Sequence, residues 1–167
     1  MVKFIDDVGD FAQSFTPPAS AELLIGAFTQ LYQKYKSVES SLEIRKSRLE
    51  DKVPELRKSL TMVRTLAEKD HATVRYNLAD NLFASADLDL QAGTVHLWLG
   101  ANVMLEFPFD EAIQFLEAKL SQAETDLATT EADLLFVRDQ TVTSEVNMSR
   151  IFNWDVRRKR SASSTNQ

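Results

Sequence analysis

The chain has 167 residues, no cysteine, four glycines, four prolines and a formal net charge of −6. Without cysteine there is no disulfide framework and no thiolate metal site, and the acidic balance is a poor electrostatic footprint for nucleic acid. The most apolar run, Val95 to Phe107, is interrupted by His96, Gly100, Asn102 and Glu106 and is shorter than the about 20 residues of a membrane-spanning helix, so neither nucleic acid nor membrane is expected as a partner.

The first residues, MVKFIDDVGDF, carry acids where a secretory signal would carry an apolar core, so no targeting segment is expected there. Phe4, Val8, Phe11 and Phe15 keep the spacing of one helical face, ended by Pro17-Pro18. Gly9 falls in the middle of that face. Residues 1–19 therefore read as either a short amphipathic helix or a mobile arm.

Residues 20–73 carry heptads. Leu24, Phe28, Leu31, Tyr35, Val38 and Leu42 alternate gaps of four and three, the seam of a coiled coil. Phe28, Tyr35, Leu42, Leu49, Leu56 and Val63 then continue at sevens, while the companion line passes from Val38 to Val53 and Leu60. This predicts a seam that rotates around 45–53, next to Pro54, as either a kinked helix or two helices with a break.

Residues 74–107 switch to period two. Val74, Tyr76 and Leu78 alternate, as do Leu82, Ala84 and Ala86, with Ala79-Asp80-Asn81 as the turn. Asp87 to Gly93 link this pair to Val95–Leu99 and Val103–Phe107, which turn at Gly100-Ala101-Asn102, where glycine and asparagine tolerate positive φ. Two isolated hairpins are marginal in water and expose strand edges. Either they close on each other as a small barrel, or other subunits cover them through Leu78, Leu82, Val95, Leu97, Leu99, Val103 and Leu105. The second reading predicts an oligomer.

Residues 108–156 return to heptads. Ile113, Leu116, Leu120, Ala123, Leu127, Thr130, Leu134, Val137, Thr141, Ser144, Met148 and Ile151 alternate threes and fours. Pro108, Asp110 and Glu111 suit a helix start, and the weak seam residues Thr130, Thr141 and Ser144 predict looser packing at the far end. The fold class is thus mainly α, with two small β-hairpins inserted between the helices of a long antiparallel coiled coil. Arms of this length span roughly 70–80 Å.

Residues 157–167 begin with Arg157-Arg158-Lys159-Arg160 and end in SASSTNQ, read as a basic and polar disordered tail. The cluster suits a helix end or a nuclear address. No Walker loop, GxSxG elbow or HExxH motif occurs. His71 and His96 lie apart, and Asp87 with Asp89 falls in linker sequence. No enzymatic activity, cofactor or metal is expected.

LADNLFASA, VHLWLGANVMLEF, DEAIQFLEAKL and EVNMSRIFNWDVRRK resemble the α-type subunits of prefoldin, over about residues 20–160, with QLYQKYKSVESSL and VPEL fitting the same pattern. The resemblance implies an ATP-independent holding chaperone of the cytoplasm. Two α-type and four β-type subunits would form a heterohexamer through a platform of hairpins. Coiled-coil tips would hold non-native actin and tubulin for delivery to the cytosolic chaperonin. On this chain the tip would be Leu23, Ile25, Ile151, Phe152, Trp154 and Val156, where apolar residues exceed what one seam buries. An alternative use of Phe152 and Trp154 is to cap the coil on Phe28. A tether between folded partners is the competing function.

Overall fold

The computed structural model describes residues 1–164, with side chains as far as Ser161. The elements are α1 (Val8–Gln13), α2 (Ala21–Ala67), β1 (His71–Ala79), β2 (Leu82–Asp89), β3 (Thr94–Gly100), β4 (Val103–Pro108) and α3 (Phe109–Ser164). This is the mainly helical chain with two hairpins between long helices that the periodicities predict. It divides into two compact units: Met1–Ser47 with Ala128–Gln167, and Arg48–Leu127.

In the unit Arg48–Leu127, the last part of α2 and the first part of α3 run antiparallel. Leu60, Val63, Ala112 and Leu116 form its buried core, with Leu56, Ile113 and Leu120 packed around them. Arg57 pairs with Glu124 at 2.7 Å, and Arg64 with Glu117. Each hairpin is a separate antiparallel pair, β1 with β2 and β3 with β4. The first begins at His71 rather than residue 74, because Thr73 lies opposite Asp87 and donates a 2.7 Å hydrogen bond to its carboxylate. Asp87 therefore belongs to a strand and not to the linker. The second turns through Gly100, Ala101 and Asn102, all at positive φ.

In the other unit, the start of α2 lies against the end of α3, and a third element joins them. The chain before α1 runs along α3, and α1 follows. Val8, Ala12 and Ile5 form one buried cluster with Ala21, Leu24 and Ile151, and Val2 is buried too. The expected stripe holds in part. Val8 is buried and Phe11 packs against the cluster, whereas Phe4 and Phe15 are exposed, because the docked face is Val2, Ile5, Val8 and Ala12. Asp7 caps α1, accepting from the amides of Gly9 at 2.7 Å and Asp10 at 3.0 Å. A Cβ at Gly9 would sit 3.1 Å from that Asp7 carboxylate oxygen, a tight contact that the cap would have to shift slightly to accept, and at an ordinary 3.5 Å from the Trp154 indole nitrogen.

Three further expectations are corrected. The α2 seam does not rotate around 45–53. It passes through Tyr35, Glu39, Leu42, Lys46, Leu49 and Val53, an unbroken alternation of fours and threes, while Val38 is 45% exposed. Two seam positions are charged and are satisfied across the pair. Arg138 reaches Glu39 at 3.1 Å and Glu43 at 2.8 Å, and Lys46 reaches Glu131 at 3.0 Å. Lys36 and Arg138 together hold the Glu39 carboxyl below its ordinary pKa.

Thr130, Thr141 and Ser144 do not loosen the packing, for all three are buried. Nor does the helix stop before the basic cluster. It runs through Arg157–Arg160 to Ser164, because Asp155 pairs with Arg158 at 3.2 Å and Lys159 at 2.6 Å, the i+3 and i+4 contacts that support a helix. Residues 165–167 of the expected tail lie outside the described residues.

Pro54 sits inside α2, on its solvent face. On the solvent face the helix can accommodate the proline ring by a slight outward tilt toward water, and it continues without a break. Proline in a helix interior costs about 3 kcal/mol relative to alanine. Pro54→Ala should therefore raise the stability of this unit, by up to that amount, with helicity by circular dichroism unchanged or increased. A fall in helicity would mean that the proline marks a required break.

Candidate binding surfaces

The hairpins carry more apolar surface than their own chain covers. Of the residues predicted to join subunits, Leu78, Leu82, Leu99, Val103 and Leu105 are exposed. Val95 and Leu97 are not free in the same way. With Phe107 they pack on the Leu60–Leu116 cluster, so the second hairpin uses part of its inner face within the chain. The helix pair thus covers part of the insert itself. Val95 lies opposite Phe107 and Leu97 opposite Leu105 on one face, Trp98 opposite Met104 on the other; Leu105, although on the packing face, is itself exposed.

Trp98 and Met104 are exposed, as are Tyr76 and Phe83 on the first hairpin. The period-two reading passed over Trp98 and Met104 by assigning their face to water. The signal was available in Leu97-Trp98-Leu99, since a strand apolar on both faces is one covered on both sides. Among the described residues, no cluster of histidine or acidic side chains could hold a metal ion. Asp89 accepts a 3.1 Å hydrogen bond from the Gln91 amide and shapes the linker.

The predicted tip residues separate sharply. Ile151 is fully buried beneath Ile5, Val8 and Leu24 and is not a capture residue. Trp154 is half-buried against the same cluster, and Arg158 stacks over its ring with 4.8 Å to the centroid. Ile25 and Val156 are half-buried. Leu23, 70% exposed, and Phe152, 60% exposed, face solvent. The aromatic pair is thus divided: Trp154 caps, Phe152 does not.

What covers Ile151 is held by a row of amides. Gln140, Ser144, Asn147 and Ile151 follow one another at fours and threes along α3, all buried. The Asn147 side chain makes two bonds to the chain running past it, accepting from the Ile5 amide at 3.0 Å and donating to the Lys3 carbonyl at 2.9 Å. Gln140 accepts from the Val2 amide. Arg150 donates to the Asp6 carbonyl at 2.7 Å and lies over the Phe4 ring, 4.7 Å from its centroid. The predicted seam runs through Thr141 and Met148, which passes by their neighbours Gln140 and Asn147. Their spacing beside Ser144 on a seam was the available signal, since buried amides require partners.

Between residues 1–7 and α2 a cleft of about 560 Å³ remains, lined by Phe4, Ile5, Phe11, Phe28, Leu31 and Tyr35 among others. Among the described residues, no helix is long and apolar enough to cross a membrane.

Antiparallel helices with paired hairpins inserted between them define a coiled-coil chaperone subunit, and the comparisons agree. The family model described as "Prefoldin subunit" matches residues 35–154, and this chain belongs to that family. Its relatives point to one member type: prefoldin subunit 3 of Mus musculus is 40% identical over 166 residues, covering 97% of this chain and 84% of the mouse protein. Probable prefoldin subunit 3 of Schizosaccharomyces pombe is 44% identical over 131 residues, 77% of each chain. A chain of the filamentous PFD from Methanocaldococcus jannaschii, solved by cryo-EM, shares the fold with a TM-score of 0.53 and 18% identity, covering 67% of this chain and 93% of its own. Prefoldin subunits are chaperones, not enzymes, and work as complexes with other prefoldin subunits.

Asn147→Leu keeps the size of the side chain but leaves the buried Ile5 amide without its partner, a loss of about 1–3 kcal/mol, and removes the part-buried bond to the Lys3 carbonyl. The expected result is rapid protease cleavage within residues 1–20 while the hairpins stay resistant. Unchanged cleavage would show that the apolar contacts alone hold the segment.

Proposed function

We propose that the chain is a subunit of a heterohexameric, ATP-independent holding chaperone, assembled with other α- and β-type prefoldin subunits. It captures non-native proteins such as actin and tubulin and passes them to the cytosolic chaperonin. The site of action is the cytoplasm; the Arg157–Arg160 cluster is compatible with the nucleus as well. The observation that carries capture is the solvent-facing pair Leu23 and Phe152, on the helix ends most distant along the chain from the hairpins. Large apolar side chains kept in water beside a packed core suit weak, unselective contact with an exposed apolar segment. Several such arms in one complex would supply the avidity that each lacks.

Assembly is supported by the apolar hairpin faces, which one chain leaves open. Subunit neighbours would cover Leu78, Leu82, Leu99, Val103 and Leu105, and with them Trp98 and Met104.

Two measurements test these parts separately. In the assembled complex, Leu23→Ser with Phe152→Ser should reduce suppression of client aggregation severalfold while complex mass and thermal unfolding hold. Full holding activity in that variant would move capture elsewhere. Leu99→Glu with Val103→Glu should abolish incorporation into the complex, because burying unpaired carboxylates costs several kcal/mol, with helicity retained. Normal complex mass would remove the hairpins from the interface.

A further inference from the structure

We propose that the α3 face from Gln140 to Ile151 is a groove for extended polypeptide that reads backbone rather than sequence. Residues 1–6 are its resident occupant, displaced when an apolar segment of a non-native chain binds; the nature of that ligand rests on the holding function proposed above.

The geometry of the occupant comes first. Val2 is held at Gln140 and Ile5 at Asn147. Seven helical residues rise about 10 Å, and three residues of chain cover that distance only when fully extended. The segment therefore lies along α3 as an extended peptide, in the same direction as the helix.

Its contacts are of a general kind. Gln140, both ends of the Asn147 amide and Arg150 all bond to main-chain groups of the segment. Beyond the Arg150–Phe4 stacking, the requirement on side chains is that Val2 and Ile5 be apolar, since these are the ones buried. Any unfolded chain offers the same backbone groups, and apolar residues three apart are common in it. Recognition of this type suits a ligand with no fixed sequence.

The groove is built to be filled yet filled imperfectly. Asn147 and Gln140 are buried on a seam where a bare helix pair would leave both amides without partners. The Arg150 Nε is buried and has no hydrogen-bond partner among the described residues. On the α2 side, the cleft lined by Phe28, Leu31 and Tyr35 stays open beside the segment. An incoming apolar side chain can lodge there before the backbone exchange is complete. Because residues 1–6 are tethered, they compete at high effective concentration with anything arriving from solution.

The test uses the full chain in its assembled complex. Hydrogen exchange of the peptide covering residues 2–8 is followed in the native protein with and without a permanently unfolded protein, reduced and carboxymethylated lactalbumin. Exchange there should accelerate tenfold or more when the unfolded protein is in excess; unchanged or slower exchange overturns the proposal.

A second arm measures a fluorescent peptide, MVKFIDDV, added in trans. Ile5→Asp, which frees the tethered segment, should bind it at least tenfold more tightly than the native complex. Asn147→Leu in the same chain should remove that gain. Equal binding by native and Ile5→Asp complexes overturns the proposal. Aggregation suppression by the native complex is read in parallel. Its absence would count against the holding function alone, because peptide binding does not depend on it.

Discussion

A pair of helices in a coiled coil can bury only a narrow stripe on each partner, two positions in every seven. This limit governs the molecule. Apolar residues beyond the stripe need a third element, another subunit, or a use for their exposure, and the chain has an instance of each. Around Ile151 the third element is residues 1–13, which bring Val2, Ile5, Val8 and Ala12 onto the helix ends. On the hairpins part of the apolar surface finds the Leu60–Leu116 cluster, and the rest faces outward. Leu23 and Phe152 stay mostly in solvent.

Polar groups placed on the seam mark where the helices stop packing only on each other. Glu39 and Lys46 are at seam positions and find opposite charges on α3. Such half-exposed pairs contribute little energy, but they disfavour alignments that would bring like charges together. Gln140, Ser144 and Asn147 do something different. Buried amides cannot be left unsatisfied, and two of them take the main chain of the N-terminal segment as partner. The polar seam and the docked segment therefore explain each other.

The same limit connects structure to function. A chaperone that holds unfolded chains has to keep apolar surface available without letting it drive aggregation. Here exposed apolar side chains occur on both units: Leu23, Leu135, Val142 and Phe152, with a cleft, on one, and the hairpin faces on the other.

Much of this was legible in the sequence because it follows from periodicity. The 3.5-residue repeat of 20–73 and 108–156, the alternation of 74–107 and the positive-φ turn at Gly100–Asn102 are local properties, and they determined two helices, two hairpins and their order. The likeness to prefoldin subunits was carried by strings such as WLGANVMLEF. Other features could not be read locally. Whether Val38 or Glu39 lies on the seam depends on which residue meets Arg138, a partner about a hundred positions away and invisible to a hydrophobic count. The docked face of residues 1–13 was only partly legible, Val8 and Phe11 being on it and Phe4 and Phe15 not, because its burial is decided by α3 and not by its own spacing. Ile151 and Phe152 are neighbours of similar hydrophobicity, and nothing in their composition says which is covered. That was decided by the return of the N-terminal segment to the end of α3, where main-chain groups of Val2, Lys3 and Ile5 meet the buried amides of Gln140 and Asn147.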